Sequence, residues 1–367
     1  MKGYRFLDKL GMTDAHVVFY MNRRKIGPRL TDDPAVNEEI LQFTAKWNVP
    51  KFSGDFAEMI ASLYRLSQQD PGSSDMVLFK RSLAELRYAQ GVFAPYRGVK
   101  KICIFGSARI RPPSKIYSSA TEFARLMTEA GYMTITGAGD GIMGAAQQGA
   151  GAEKSFGLNI LLPFEQYPNE VIRDDPKLVT FRYFFTRKLT FLREASAVAV
   201  FPGGFGTLDE GMEVVTLMQT GKARLIPLVL IDEPRGTFWK SFIRYVSEHL
   251  MADKLISPED FNLFKLTTSV EEARDEILRF YRNFHSYRFV GPHLVIRLQR
   301  ALSEEKIAAL RKEFLSILNP PGEIFQGKAL PQEADETDIA DLPRLCLTFN
   351  RIHFGFLRLL IDRLNEE

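Results

Sequence analysis

The 367-residue chain has few cysteines, no long apolar run and almost no net charge. Its two cysteines, Cys103 and Cys346, lie far apart without metal-site spacing, so we expect packed thiols in a reducing compartment. The sequence shows neither a signal-peptide pattern nor about 18 consecutive apolar residues, and we expect a cytoplasmic protein without a membrane partner. With 48 basic and 45 acidic residues, its net charge of +3 does not indicate a nucleic-acid partner.

The pattern of residue types divides the chain into three regions. Residues 1–97 predict helices, with Asp33 as N-cap and Pro34 at the first helical position, and we interpret them as packing or assembly surface. The short basic run Asn22–Lys25 in this region is interpreted as a solvated face. Residues 98–287 predict a catalytic domain. Residues 288–367 predict a small α+β module, which either is purely structural or binds an effector or mediates assembly.

The central region alternates short apolar runs with helical stretches, which is typical of βαβ units. It therefore predicts an α/β fold, a Rossmann-like doubly wound parallel sheet with helices on both faces. Glycine-bearing turns follow three of the predicted strands, at Gly106-Ser107, Gly137–Gly144 and Gly203–Gly206, and ligands of such sheets bind at these strand ends. The predicted strands are Ile102–Phe105, Tyr132–Thr136, Leu158–Leu162, Val198–Phe201 and Leu225–Ile231.

The segment PGGFGTLDE, residues 202–210, reads as a glycine-rich turn that opens a helix. Gly203, Gly204 and Gly206 have no Cβ and tolerate φ > 0, so the backbone can close on a bulky anion that the N–H groups of the helix then bind. This pattern predicts a phosphate cradle with an acidic residue beside it. A second interpretation is that Thr207 and Glu210 form a capping box, in which the glutamate only closes the start of the helix.

A second glycine motif, Gly139-x-Gly141-x-x-Gly144, matches the dinucleotide fingerprint, and Glu165 follows at about the expected distance. Taken literally, this motif indicates NAD. However, it follows the second predicted strand of the domain, and Glu165 lies in a turn-like segment. A structural role in strand–helix packing, or contact with the sugar and base edge of a nucleotide, explains the motif equally well.

Two adjacent cations, Arg187 and Lys188, open the helix before the strand that leads to Pro202. They are either ordinary surface charges or anion ligands brought against the glycine turn. Because a guanidinium binds phosphate or carboxylate through two hydrogen bonds, Arg187 is the better candidate for positioning a ligand.

Three motifs together resemble the LOG family, whose members include cytokinin-activating phosphoribohydrolases and bacterial nucleotide 5′-monophosphate nucleosidases. They are PGGFGTLDE at 202–210, TRK at 186–188 and TGAGDGIMGAA at 136–146, and the resemblance covers about residues 98–252. It implies a Rossmann-like domain that hydrolyses the N-glycosidic bond of a nucleoside 5′-monophosphate. It also implies a homo-oligomer, a dimer or a dimer-based assembly, with sites near the interface. The flanking regions favour a long bacterial-type member over a cytokinin-specific one.

The resemblance also assigns the site residues. Arg187 and Glu210 match the family's catalytic pair. The phosphate is placed on Gly203, Gly204, Gly206 and Thr207. No metal or other cofactor is expected, because the phosphate is an anchor and not the reacting group. Many family members carry the older label "lysine decarboxylase", but we identify no lysine and acidic partner that would hold pyridoxal phosphate. Further candidate substrate contacts are Ser107, Gly139, Asp140, Gly141, Lys188, Asp209 and Glu213.

The implied chemistry passes through an oxocarbenium-like state with positive charge on the ribose. We expect Glu210 to stabilise that charge and to orient or deprotonate the attacking water. Asp209 and Glu213 are alternative carboxylates. We expect Arg187 to hold the ribose or phosphate and to keep Glu210 ionised. Asp140 is a candidate contact for the base. Two other hypotheses stay open, a nucleotide-binding sensor without hydrolysis and a nicotinamide-dependent oxidoreductase.

Overall fold

The computed structural model describes residues 30–163, 167–334 and 336–366. The run Asn22–Lys25 and the carboxylate Glu165 lie outside these residues. Two compact units make up the chain, residues 1–81 and 82–367, and the boundary between them falls inside a helix. The domain boundaries after residues 97 and 287 stay predictions.

The described part of the first unit, residues 30–81, is mainly helical. Helix α1 spans Pro34–Ala45, α2 spans Ser53–Ser67 and α3 spans Ser73–Phe93, which continues into the second unit. The side chain of Asp33 accepts hydrogen bonds from the backbone N–H groups of Ala35 and Val36, which confirms Asp33-Pro34 as a helix start.

The main sheet of the second unit has seven parallel strands in the order β4-β3-β2-β1-β5-β6-β7. This order confirms the α/β, doubly wound, Rossmann-like prediction. The edge strands β4 and β7 were not predicted, because with four and three residues they are too short to stand out as apolar runs. The strands are β1 Lys101–Phe105, β2 Met133–Thr136, β3 Ser155–Ile160, β4 Leu178–Phe181, β5 Ala197–Val200, β6 Leu228–Ile231 and β7 Lys265–Thr267.

Helices cover both faces of this sheet. On β1, Ile102 and Ile104 face one helical layer, whereas Cys103 and Phe105 face the other, as the two-residue period of a strand requires. The layer beside Ile102 contains α4, α5 and α9, and the opposite layer contains α6, α7 and α8. These helices are α4 Lys115–Glu129, α5 Ile142–Ala150, α6 Phe184–Glu194, α7 Phe205–Gln219, α8 Phe238–Tyr245 and α9 Val270–Phe280.

A four-stranded antiparallel sheet, in the order β10-β11-β9-β8, forms the C-terminal part and confirms the predicted α+β module. Residue 288 lies inside β8, a strand that the sequence did not predict because FHSYRFV mixes aromatic and charged residues without clear alternation. Leu294 and Ile296 belong to the same hydrophobic core as Phe105 of the main sheet. The elements are β8 Phe284–Val290, β9 His293–Leu298, α10 Glu304–Glu313, β10 Ile324–Gly327, β11 Arg344–Leu347 and α11 Phe354–Leu364.

Helix α10 ends at Glu313, and a short 3₁₀ turn follows it. Among the helices of the described residues, none combines the length and the apolar character that crossing a membrane requires.

Candidate active site

The structure brings the three glycine-bearing turns together, because β2, β1 and β5 are neighbours in the sheet. The backbone of Ser107, which follows β1, connects them. Its N–H donates to the carbonyl of Pro202 at 3.1 Å, and its carbonyl accepts from the N–H of Ile142 at 3.0 Å. Ser107 therefore joins the turn after β1 to the turn after β5 and to the start of α5.

The N-terminus of α7 lies at the carboxyl end of β5 and is open. Gly204 is the N-cap residue, and no side chain caps the helix there. Gly204, Phe205 and Gly206 are exposed, and a Cβ on Gly204 or Gly206 would meet no atom within 4 Å. The first N–H groups of a helix have no partner within the helix and attract anions through the helix dipole. The N-terminus of α7 thus has the open space and the positive dipole end that an anion site requires.

The glycines of this turn do not adopt the positive φ that glycine tolerates. Gly203, Gly204 and Gly206, all among the described residues, lie outside the left-handed region, and Gly204 has φ −89°. The turn depends on the absence of a Cβ and not on a left-handed backbone. A Cβ on Gly203 would lie 2.2 Å from the Oγ1 of Thr207, which is buried. Gly203 is needed because the Thr207 side chain packs directly against its backbone.

The capping-box interpretation of Thr207 and Glu210 is wrong. Helix α7 begins at Phe205, so both residues lie inside the helix and not at its cap. The carboxylate of Glu210 contacts Arg187 on the neighbouring helix α6, with 3.2 Å between Oε1 and Nη1. The structure therefore joins two residues that are 23 positions apart in the sequence.

The guanidinium of Arg187 is buried and held on several sides. Its Nε donates to the carbonyl of Leu158 on β3 at 2.7 Å, and its Cζ lies 5.0 Å from the ring centroid of Phe191. A Cβ on Gly137 would lie 2.4 Å from Nη2, so only glycine leaves room for the arginine there. Because these contacts fix the guanidinium, the Glu210 carboxylate that it binds is fixed as well.

The surroundings of Glu210 raise its pKa to about 7. Burial beside apolar side chains such as Phe105 and Val214 is the largest cause, Arg187 opposes it, and Asp209 and Glu213 add to the rise. Arg187 thus lowers the pKa of Glu210 in the expected direction, but it does not keep the carboxyl fully ionised at neutral pH. Burial also lowers the pKa of Arg187.

Lys188 makes a second set of ion pairs between α6 and α7. Its Nζ lies 2.8 Å from Asp209 and 3.3 Å from Glu213. Burial lowers the pKa of Lys188, but the two carboxylates outweigh this effect and the net shift is upward. Asp209 and Glu213 are therefore partners of Lys188, whereas Glu210 is the carboxylate that pairs with Arg187.

The segment Gly137–Gly144 forms a tight turn against Ser107. Gly141 has φ +65°, and a Cβ there would lie 2.3 Å from the carbonyl oxygen of Ser107. Ala138 also has positive φ, at +64°, in a region that non-glycine residues rarely occupy. The N–H of Asn169 donates to the Ala138 carbonyl and its side-chain amide donates to the Gly139 carbonyl, which holds this backbone. Sequence reasoning missed Asn169, because its role depends on a tertiary contact.

Asp140 does not join the Arg187–Glu210 pair. It is exposed, lies 3.1 Å from the Nη2 of Arg111, and lines a cleft of about 650 Å³ beside α5. Tyr117, Gln148 and Arg173 also line this cleft, and Glu210 lies instead between α6 and α7. Within the described residues, no group of three or more His, Cys, Asp or Glu side chains is arranged to hold a metal ion.

The fold and this site define a Rossmann-like α/β protein with an open helix N-terminus beside a buried Arg–Glu pair. A family model described as "Possible lysine decarboxylase" matches residues 143–277. Cytokinin riboside 5′-monophosphate phosphoribohydrolase LOG7 of Arabidopsis thaliana is 31% identical, over 48% of this chain and 85% of the relative. The chain belongs to the LOG family.

Further relatives carry the same phosphoribohydrolase name. LOG2 of Arabidopsis thaliana is 27% identical, over 41% of this chain and 69% of its own length. LOG of Oryza sativa subsp. japonica is 29% identical, over 42% of this chain and 64% of its own length. Among solved structures, the molybdenum cofactor binding protein of Rippkaea orientalis is 17% identical with a TM-score of 0.36, over 49% of this chain and 96% of that one.

Proposed function

We propose that this protein hydrolyses the N-glycosidic bond of a nucleoside 5′-monophosphate, giving the free base and ribose 5-phosphate. The observation that carries the proposal is the pairing of buried Arg187 on α6 with Glu210 on α7, the helix whose open N-terminus has the form of an anion site. The relatives named phosphoribohydrolases support the reaction type. The substrate class is the finer part of the proposal, since the identities are 27% to 31%.

The 5′-phosphate binds at the turn of Gly203, Gly204, Gly206 and Thr207. The N–H groups of the first turn of α7 donate to it, and the open space in front of Gly204 and Gly206 admits it. The phosphate contacts stay the same throughout the reaction. Because they lie away from C1′, their binding energy serves to orient the ribose over the carboxylate of Glu210.

Glu210 acts on the ribose. Its carboxylate stabilises the positive charge that develops at C1′ and accepts a proton from the attacking water. The water oxygen bonds to C1′ as the C1′–N bond breaks, and the base leaves with the electron pair and takes up a proton. A pKa of about 7 suits this role, because the carboxyl can both accept and release a proton near neutral pH.

Arg187 and the remaining candidates support this step. Arg187 orients Glu210 and contacts the ribose or phosphate, as the family resemblance implies. Asp140 and the cleft beside it provide contacts for a part of the substrate away from the reacting bond. The amine Lys188 is paired with two carboxylates and its pKa is raised, which disfavours it as the neutral nucleophile that a decarboxylase lysine must be.

We also infer that the protein is a homo-oligomer through the face that α6 and α7 present beside the site. Phe184, Phe185, Leu189 and Phe205 expose about half or more of their surface there, and Phe205 is 93% exposed. Phe184, Phe185 and Leu189 line one surface cavity, and exposed apolar patches of this kind are typical of protein interfaces. Light scattering of the purified chain and of Phe205→Ser tests this inference, and a monomeric wild-type chain contradicts it.

The experiment that tests the function is incubation with a panel of nucleoside monophosphates, followed by chromatography of the products. AMP, GMP, IMP, CMP, UMP and isopentenyl-AMP distinguish a general nucleotidase from a cytokinin-specific enzyme. We expect release of one or more free bases together with ribose 5-phosphate, and its loss in Glu210→Gln. Asp209→Asn is the matched control, since Asp209 adjoins Glu210 but pairs with Lys188.

Other outcomes favour the competing hypotheses. Tight AMP binding without release of base contradicts hydrolysis and indicates a nucleotide sensor. A rise in melting temperature with NAD and not with AMP indicates the nicotinamide-dependent alternative.

A further inference from the structure

A carboxylate from α3 holds the start of α6. Oε1 of Glu85 accepts a hydrogen bond from the backbone N–H of Arg182 at 2.8 Å, and Oε2 accepts one from the hydroxyl of Thr186 at 2.6 Å. The N-cap residue of α6, Tyr183, makes no capping hydrogen bond with its own side chain. Glu85 therefore supplies the acceptors and the negative charge that stabilise a helix N-terminus.

The position of Glu85 is fixed by the packing of its helix. Ala89 and Phe93 follow at four and eight residues, so they lie on the same face of α3 as Glu85, and both are buried. The ring of Phe93 stacks on Phe156 of β3, with 4.4 Å between centroids. Because packing in the core fixes this end of α3, it also fixes the carboxylate of Glu85, two turns earlier, beside the start of α6.

Both contacts of α3 reach the elements that support Arg187. Thr186 immediately precedes Arg187 on α6, and its side chain is bonded to Glu85. Phe156 lies on β3 two residues before Leu158, whose carbonyl accepts from the Nε of Arg187. Helix α3 thus contacts both the helix that carries the arginine and the strand that binds it.

We propose that Glu85 is a positioning residue for the Arg187–Glu210 pair. This inference rests on the proposed function of that pair. Glu85 acts through Thr186 and the backbone of Arg182, which set the start of α6 and hence the place of the guanidinium. A small displacement of the groups around a reacting bond slows the chemical step. We therefore expect the loss of Glu85 to lower kcat more than it changes KM.

The test compares Glu85→Ala, Glu85→Gln and the matched control Arg87→Ala, an exposed charged residue of the same helix. We expect Glu85→Ala to lower kcat by about 10- to 100-fold with little change in KM. Glu85→Gln is expected to stay within about threefold of the wild type, because its amide can still accept from the Arg182 N–H and bond to the Thr186 hydroxyl. Arg87→Ala is expected to match the wild type.

A second variant reaches the same contact from the other side. Thr186→Val removes the hydroxyl but leaves α3 unchanged, so it serves if Glu85→Ala fails to fold. We expect its loss of kcat and that of Glu85→Ala to be non-additive in the double variant, because both remove the hydrogen bond between Thr186 and Glu85. Wild-type kcat in Glu85→Ala, or additive effects in the double variant, would overturn the proposal.

Amide hydrogen exchange tests the contact between Glu85 and α6 independently of the proposed hydrolase activity. We expect faster exchange across residues 182–188 in Glu85→Ala than in Arg87→Ala, whether or not the wild-type chain releases base. Faster exchange in a chain that lacks hydrolase activity supports the positioning contact and contradicts the function. Unchanged exchange contradicts the positioning contact itself.

Discussion

Two neighbouring ion pairs connect α6 to α7, and they differ in their surroundings. Arg187–Glu210 is buried, with exposed side-chain fractions of 8% and 17%, whereas Lys188–Asp209 ends in a carboxylate that is 56% exposed. Burial raises the pKa of Glu210 to about 7. Asp209 is far more exposed, in a surface cavity that it lines with Phe184 and Leu189. Residues of the same charge and adjacent in sequence therefore take different roles because of the side chains around them.

The largest expected effect comes from removing the buried carboxylate. Glu210→Gln keeps the shape of the side chain but cannot accept a proton, and we expect kcat to fall by roughly 10²–10⁴-fold. Steady-state release of base measures this loss, and circular dichroism checks that the fold survives. If Asp209→Asn causes the larger loss, the comparison between the two pairs is wrong.

The next largest effect is expected when a substitution at a neighbouring residue displaces Arg187. Gly137→Ala places a Cβ where 2.4 Å separates it from the Nη2 of Arg187, so the guanidinium must move. We expect kcat to fall by about 10²-fold, since misplaced catalytic groups lose orientation. The control is Gly91→Ala, which introduces a Cβ into open space. Gly151→Ala would be unsuitable, because the φ of Gly151 is positive and an alanine there would itself be strained. Equal activity of Gly137→Ala and Gly91→Ala would show that the position of Arg187 does not matter.

The pKa of Glu210 also predicts the pH dependence of activity. If the ionised carboxylate is the active form, kcat/KM falls about tenfold per pH unit below 7 and levels off above it. Measuring kcat/KM between pH 5 and 9 tests this expectation. A profile whose midpoint lies near 4.5, the ordinary value for glutamate, would show that burial does not govern the site.

We expect the free energy of unfolding to decrease as pH rises, whereas activity increases. A carboxyl whose pKa is raised in the folded protein stabilises the fold below its unfolded value of 4.5, and this contribution is lost as pH rises through 7. The full change is up to about 3 kcal/mol. Denaturant unfolding at pH 5 and pH 8 measures it, with Glu210→Gln as the reference that lacks the titrating group. A wild-type chain with the same pH dependence as Glu210→Gln contradicts this expectation.

Much of the fold followed from local sequence, whereas the site depended on tertiary contacts. The apolar runs and the glycine turns placed β1, β2, β5 and the start of α7 correctly, because burial and helix initiation are encoded within a few residues. The pairing of Arg187 with Glu210 came only from the family resemblance. Asn169 and Glu85 had no local signal, since each acts on a segment far away in the sequence.

The smallest expected effect comes from the Lys188–Asp209 pair, whose carboxylate is exposed. Lys188→Met removes the cation that binds Asp209 and Glu213 while preserving most of the side-chain volume. Exposed ion pairs contribute about 0–1 kcal/mol, so we expect a shift in unfolding free energy within that range. We expect kcat to change less than about tenfold, since Arg187 and not Lys188 binds the Glu210 carboxylate. We also expect the pKa of Glu210 to rise slightly, because Lys188 is the weaker of the two cations that lower it. A loss of kcat as large as that of Glu210→Gln would place Lys188 in contact with the substrate and remove the distinction between the two pairs.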